Sequence, residues 1–276
     1  MLFFRKKKNK NQTVDVTAEL RARLPDATPE FIDIIRSVQP YTMTSPERVM
    51  ALCSAVDYIL QNQIEGAFVE CGVWRGGSMA AVARTLLNRG VSDRPLWLYD
   101  TFEGMSEPTD KDIDFLGKTA THLLETEDPQ DSKSVWCRSS IDQVRKVMEQ
   151  TTYPSQQVNL VEGKVEETLL QHRPGRIALL RLDTDWYEST RLELEMLFPL
   201  LSPGGVLIID DFGHWQGCRR AVEEYFREHQ VSMMLNRIDY TGRIGIYYPL
   251  KKRRSEEAAI SLSQGQTFDR EAIDAT

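Results

Sequence analysis

Gly66-Ala-Phe-Val-Glu70-Cys-Gly72-Val-Trp-Arg-Gly76-Gly77-Ser78 is the stretch from which the rest of the chain can be read. Ala67–Cys71 has the composition of a short buried strand, and a glycine-rich turn follows it. Beyond the turn, Met79, Val82, Ala83, Leu86 and Leu87 recur at i, i+3, i+4, i+7 and i+8, the apolar stripe of a helix. Ser78 is placed to cap that helix. Gly72, Gly76 and Gly77 can adopt positive φ and let a ligand lie against bare backbone. An acid at the strand end, a turn without side chains and a helix N-terminus together make a small-molecule cradle. The order is E-x-G-x-x-x-G-G rather than the dinucleotide fingerprint G-x-G-x-x-G. A carboxylate aimed at the turn suits a cationic or hydroxyl-bearing ligand better than a diphosphate.

Working outward, the same alternation of strand and helix repeats. Leu96–Asp100 reads as a second strand ending in an acid, and Thr101–Met105 as a turn. In nucleotide-binding α/β folds an acid at that position holds ribose hydroxyls. Val158–Val161 supplies a third strand, Ile177–Leu182 a fourth and Val206–Ile209 a fifth, with helices read at 139–148, from Glu166, and over the Leu194/Leu197/Phe198/Leu201 and Cys218/Ala221/Val222/Tyr225/Phe226 faces. Ser202-Pro203-Gly204-Gly205 reads as a helix end and turn. Arg237–Asp239 and Gly245–Tyr248 complete an antiparallel edge. Upstream, Ser45 with Pro46 starts a helix whose apolar face is Val49, Leu52, Cys53, Val56, Ile59 and Leu60. Leu20–Gln39 is helical in part, broken by Pro25, Pro29 and Pro40. Residues 105–135 are acidic and aperiodic, and are read as a lid over the site or a solvated insertion; His122 within them is read as solvated.

The chain of 276 residues fits a single domain over 20–250, with a basic tail at 1–19 and a polar one at 251–276. A net charge of -7 argues against nucleic acid as a partner. Four scattered cysteines without a C-x-x-C pair suit reduced thiols in the cytoplasm, and no apolar run reaches the length of a transmembrane segment.

The chemistry concentrates at two strand ends. Strands four and five are expected to be near neighbours in a parallel sheet, so Asp183, Asp210 and Asp211, with Asp185 close by, converge on one rim. Like charges so crowded must be protonated or bridged by a cation. All-oxygen ligands favour a hard divalent ion, Mg²⁺ first, then Ca²⁺ or Mn²⁺. Aspartates that merely cap the following helices would account for one or two of these acids, but less well for the consecutive pair Asp210-Asp211.

The blocks Val69–Ser78, Tyr99–Gly104, Leu182–Thr190, Leu201–Gly205 and Ile209–Phe212 together resemble the macrocin O-methyltransferase (TylF/MycF/NovP) family, over roughly residues 38–250 and in family order. The resemblance implies a Rossmann-like class I methyltransferase fold, α/β, with a mostly parallel seven-stranded sheet, helices on both faces and an antiparallel edge strand. It implies Mg²⁺-dependent methylation, from S-adenosyl-L-methionine, of a hydroxyl on a glycosylated small molecule. It implies Asp183, Asp210 and Asp211 as metal ligands, with Asp183 also the general base. Glu70 and Gly72 would face the methionine part of the cofactor and Asp100 its ribose, with Ser78 and Thr101 beside them. Tyr41 and Thr44 would lie in the segment that closes the cofactor pocket. It also implies a homo-oligomer. Catechol O-methylation uses the same metal logic on a flat acceptor. An NAD-dependent oxidoreductase and a non-catalytic binding module are rivals from other classes, the first disfavoured by the missing fingerprint and the second by acids intact at all three strand ends.

Overall fold

The computed structural model describes residues 15–131 and 134–249. Seven strands, β1 (Ala67–Cys71), β2 (Leu96–Asp100), β3 (Val158–Glu162), β4 (Ile177–Leu182), β5 (Leu201–Ile209), β6 (Asn236–Arg237) and β7 (Arg243–Ile246), form one sheet in the order β3-β2-β1-β4-β5-β7-β6. The first five run parallel, and β7 is antiparallel to both β5 and β6. The class I methyltransferase architecture is thus present, with its antiparallel edge.

Alternation along each strand divides the apolar residues between two cores. Phe68, Leu98, Leu179, Val206 and Ile208 pack with α2 (Pro29–Val38), α3 (Pro46–Gln61) and α4 (Gly77–Asn88). Val69, Cys71, Leu180, Leu182, Leu207 and Ile209 pack on the other face with α8 (Tyr187–Leu197) and α9 (Gln216–Glu228). Remaining helices are α1 (Val16–Arg23), α5 (Ala120–Thr126), α6 (Ile141–Glu149) and α7 (Val165–Thr168).

Local structure departs from expectation at five places. Ser78 does not cap α4: Gly76, at φ +84°, occupies the cap position and Ser78 is the second helical residue. A chain reversing this sharply into a helix needs the left-handed region, which glycine enters without a Cβ penalty. Pro29 starts a helix rather than breaking one, because Thr28 Oγ1 accepts from Phe31 N at 3.2 Å and proline at the first helical position lacks only an N–H that would go unused. Asp15 caps α1 by accepting from Thr17 N at 3.0 Å, so the helix begins inside the stretch read as tail. The basic run Arg5–Lys10 and residues 251–276 lie outside the described residues. Ser202–Gly205 is absorbed into β5, where the pairing with β4 shifts register and Gly204 N donates to Tyr247 O.

The fifth departure lies in the acidic segment read over 105–135, whose described residues up to 131 are clamped in place near Asp112. The fully buried Asp112 accepts from Thr109 N at 2.8 Å and from Tyr187 N, the first residue of α8, at 2.7 Å. Gln216 N, at the start of α9, donates to Ile113 O at 2.9 Å. His122 sits exposed on α5. Among the described residues no helix is long and apolar enough to cross a membrane.

Candidate functional site

Because the chain leaves β1 for β2 and β3 on one side and then returns to β4 and β5 on the other, a crevice opens at the C-terminal ends of the central strands. It holds a cavity of about 520 Å³. Along the sheet, its wall runs from Asp100 at the end of β2, past Gly72 after β1 and Asp183 after β4, to Asp210-Asp211 after β5, and on to Tyr240 in the β6–β7 turn. A smaller cavity adjoins it, sharing Gly72, Asp100 and Asp183 and extending to Thr101 and Gly163–Glu166.

The glycine turn is shaped as much by backbone approach as by ligand access. A Cβ on Gly72 would lie 1.9 Å from the Asp183 carbonyl oxygen, and one on Gly77 would lie 2.5 Å from that of Tyr41. Asp100 fastens the turn: Oδ2 accepts from Val73 N at 2.7 Å and Trp74 N at 2.9 Å, while Oδ1 accepts from Phe102 N at 2.8 Å. The Thr101 hydroxyl is a fourth and longer donor, to Oδ1 at 3.5 Å, so the roughly four lone-pair positions of the carboxylate are largely taken up in shaping the turn. Burial raises the Asp100 pKa, opposed by those same backbone donors.

The acids converge, and arginines converge with them. Glu70 and Arg181 are register partners on β1 and β4, on the sheet face toward α3 and α4. The guanidinium of Arg181, 2% exposed, donates to Glu70, to Asp183 Oδ2 at 2.6 Å, to Asp210 Oδ1 at 2.6 Å and to Thr44 Oγ1 at 2.9 Å. Arg48, from the first turn of α3, pairs with Asp210 Oδ2 and, at 3.0 Å, with Asp239. Crowding of carboxylates is therefore relieved in part by two guanidinium groups, one buried and one largely so. The relief is incomplete. Burial pushes Glu70 up to about 8, and burial together with the charges of their aspartate neighbours raises both Asp185 and Asp211. Asp183, Asp210 and Asp211 each offer an oxygen within 4.8 Å of the others, and Asp211 Oδ2 is buried without a hydrogen-bond partner. Three convergent hard oxygens, one of them orphaned, fit a divalent cation.

Of the residues singled out in the sequence, Thr44, Gly72, Ser78, Asp100, Asp183, Asp210 and Asp211 all line the main cavity. Thr101 lines the smaller one. Glu70 does not reach the cavity but lies beneath it, bonded to Arg181. Tyr41 contributes backbone against Gly77, and its hydroxyl lies 3.4 Å from Gln150 Oε1. Sequence reading missed the two arginines and an aromatic group at the cavity mouth, Phe115, His214 and Tyr240. Arg181 had a signal, a lone charge inside an apolar strand, whereas the aromatic residues come from separate loops and had none.

The sequence model describing macrocin O-methyltransferase (TylF) matches residues 3–248. A tetracenomycin-C rhamnosyl 4'-O-methyltransferase from Streptomyces olivaceus is 35% identical over 218 residues, covering 79% of this chain and 80% of its own. Mycinamicin III 3''-O-methyltransferase from Micromonospora griseorubida is 32% identical over 208 residues, 75% of this chain and 78% of its own. Among solved structures, that of the O-methyltransferase NovP superposes with a TM-score of 0.66 at 28% identity, covering 76% of this chain and 83% of that one.

Proposed function

Since the chain belongs to the macrocin O-methyltransferase family and is an S-adenosylmethionine-dependent O-methyltransferase, we propose that it methylates a sugar hydroxyl of a glycosylated small molecule in a metal-dependent reaction. The observation that carries this reading is the convergence of Asp183, Asp210 and Asp211 within 4.8 Å beside the glycine turn. The relatives named for rhamnosyl and mycinamicin acceptors support the acceptor class.

S-adenosylmethionine would occupy the β1–β2 half of the crevice, its methionine part along Gly72–Ser78 and its ribose at Asp100, with the smaller cavity beyond for the base. The acceptor would enter from the β5 side, which leaves Asp183 between the two. A hard divalent cation held by Asp183, Asp210 and Asp211 would supply Lewis-acid polarisation of the acceptor oxygens. Asp183, with about a quarter of its side chain open to the cavity, is placed to take the hydroxyl proton. Arg181 fixes its orientation through Oδ2. Glu70 acts one layer down, holding Arg181. Clamped at Asp112 and Ile113, the described residues of the 105–135 segment would roof the cavity and limit water. The four free cysteines suit a reducing cytoplasm, and a homo-oligomer is the expected assembly.

Asp183→Asn tests the assignment. It should lower kcat by about 10²–10⁴-fold, the range for a lost general base, while S-adenosylhomocysteine affinity measured calorimetrically stays within a few-fold. Full turnover of the wild-type protein after dialysis against EDTA would overturn the metal-dependent scheme.

A further inference from the structure

Phe115, Leu116 and Tyr240 are 54%, 69% and 52% exposed, and all three line the cavity that holds the carboxylates. Large apolar side chains left in solvent at the mouth of an acidic cleft call for an occupant. They are also held rigidly. Asp114 Oδ1 accepts from Leu116 N and Lys118 N, both at 2.8 Å, so Phe115 rides on a closed turn, which is bridged to Trp215. Tyr240 sits between Asp239, which accepts from Thr241 N at 2.9 Å and Gly242 N at 2.8 Å, and Thr241, whose hydroxyl donates to Asp210 O at 2.8 Å. That last bond ties the tyrosine's loop directly to the rim that bears Asp210-Asp211. Gly213 permits the approach, since a Cβ there would lie 2.1 Å from the Tyr240 carbonyl oxygen.

His214 fills the angle between the two rings. Its centroid is 5.2 Å from Phe115 and 6.0 Å from Tyr240, and its Nδ1 lies 3.2 Å from the Tyr240 hydroxyl. The three rings meet at 59°, 60° and 75°. Such a group makes a concave corner, not a parallel-walled slot. A flat catechol can lie face-on against only one of three walls so inclined. A puckered pyranose has C–H faces that carry slight positive charge, and these meet the negative faces of tilted rings, while its hydroxyl edge is free to turn toward acids. Asp211 and Asp183 supply those acids across the cavity.

We propose that Phe115, His214 and Tyr240 form the acceptor subsite and receive the C–H face of a pyranose ring, with Leu116 against the apolar group to which the sugar is attached. The inference rests on the sugar-hydroxyl reading above and adds the residues that select for it. It follows that acceptor binding and donor binding are separable by mutation, because the corner lies on the β5 side of Asp183 and the donor cradle on the β1–β2 side.

The test is saturation-transfer NMR on the full chain with S-adenosylhomocysteine present, using methyl α-L-rhamnopyranoside and catechol as probes. Wild type and Tyr240→Phe should saturate the ring protons of the glycoside. Phe115→Ala and Tyr240→Ala should cut that signal at least fivefold with the S-adenosylhomocysteine signal unchanged. Undiminished glycoside signal in both alanine variants would overturn the subsite and leave the sugar reading standing. Catechol saturating in wild type while the glycoside does not would overturn the sugar reading and the subsite with it. Should Tyr240→Ala lose the S-adenosylhomocysteine signal as well, Phe115→Ala, at an exposed turn tip, decides the matter alone.

Discussion

Replacing Gly72 by alanine should uncouple stability from catalysis in a way that its neighbours do not. Gly72 holds φ +82°, and an alanine in the left-handed region costs about 1–2 kcal/mol. Gly90, at φ +72° with nothing within 4 Å of a Cβ, isolates that cost. At Gly72 the new methyl would also lie 1.9 Å from the Asp183 carbonyl oxygen, so the two backbones must part by at least 1.1 Å to reach the 3.0 Å limit for such contacts. That separation acts directly on the bond from Asp183 N to Cys71 O, now 2.9 Å, at about 1 kcal/mol. Overpacking adds about 1–3 kcal/mol more. The chemical consequence is larger than the thermal one. Moving the proposed general base by about 1 Å costs about 100-fold in rate, close to 2.7 kcal/mol of barrier.

The assay is thermal unfolding run beside kcat at saturating donor. Gly90→Ala should lose about 2–8 °C in Tm, at about 2–4 °C per kcal/mol, and keep its kcat. Gly72→Ala should fall further in Tm and lose about two orders of magnitude in kcat for the protein that remains folded. A kcat for Gly72→Ala within threefold of Gly90→Ala would refute the idea that the glycine turn positions Asp183 by contact.

Three further outcomes follow from the charge network. Glu70 is pushed up to about 8 by burial, against the pull of Arg181 and with the charges of Asp183 and Asp100 adding to it. Its folded value lies above the unfolded one of 4.5, so the stability it lends is full below about pH 4.5 and is lost as pH rises through 8; Glu70→Gln should flatten the fall in urea midpoint between pH 6 and pH 9. Arg181→Met strands Glu70, Asp183 and Asp210 and should cost about 3–5 kcal/mol by denaturant titration. Arg181→Lys should fail to restore it, since one ammonium cannot span acceptors on three strands. Asp100→Ala removes the acceptor for Val73 N, Trp74 N and Phe102 N and should weaken S-adenosylhomocysteine binding at least tenfold by calorimetry, with a stability loss of about 1–3 kcal/mol.

The five parallel strands were legible because each is a short apolar run that ends where the polarity changes, a property local to the sequence. Their alternation with helices implied a mostly parallel sheet with the fourth and fifth strands as neighbours. What misled were residues with two physical uses. Proline and glycine in Ser202–Gly205 mark a turn in isolation, but tertiary pairing with β4 and β7 draws them into a bulged strand. Pro29 breaks a helix only from within; with Thr28 before it, it begins one. The acidic segment has no periodicity because its order comes from individual contacts, the Asp112 carboxylate on Tyr187 N and the main chain of Asp114 on Trp215, both distant in sequence, and such contacts leave no pattern to read.

At the site, the same division separates acids from bases. Carboxylates at the ends of β4 and β5 could be placed together from topology alone. Arg181 stands two residues before Asp183, so alternation sends both side chains to the α3 face, where Glu70 meets them across β1. Arg48 occupies the first turn of α3, a place the helix dipole makes unfavourable for a cation; the unfavourable position is explained once Asp210 and Asp239 lie opposite it. Six carboxylates, Glu70, Asp183, Asp185, Asp210, Asp211 and Asp239, then face two guanidiniums. The arginines fix where Asp183 and Asp210 stand. Asp185 and Asp211, on the cavity side, form no ion pair with them and are pushed toward protonation by burial and by neighbouring aspartate charge, a state that a cation would relieve. A site neutralised entirely by arginine would hold no pull on a cation; one with no arginine would not hold its carboxylates together without it. The division of labour, guanidinium beneath and open carboxyl groups above, keeps the rim assembled in advance of any ligand and leaves oxygens free to receive one.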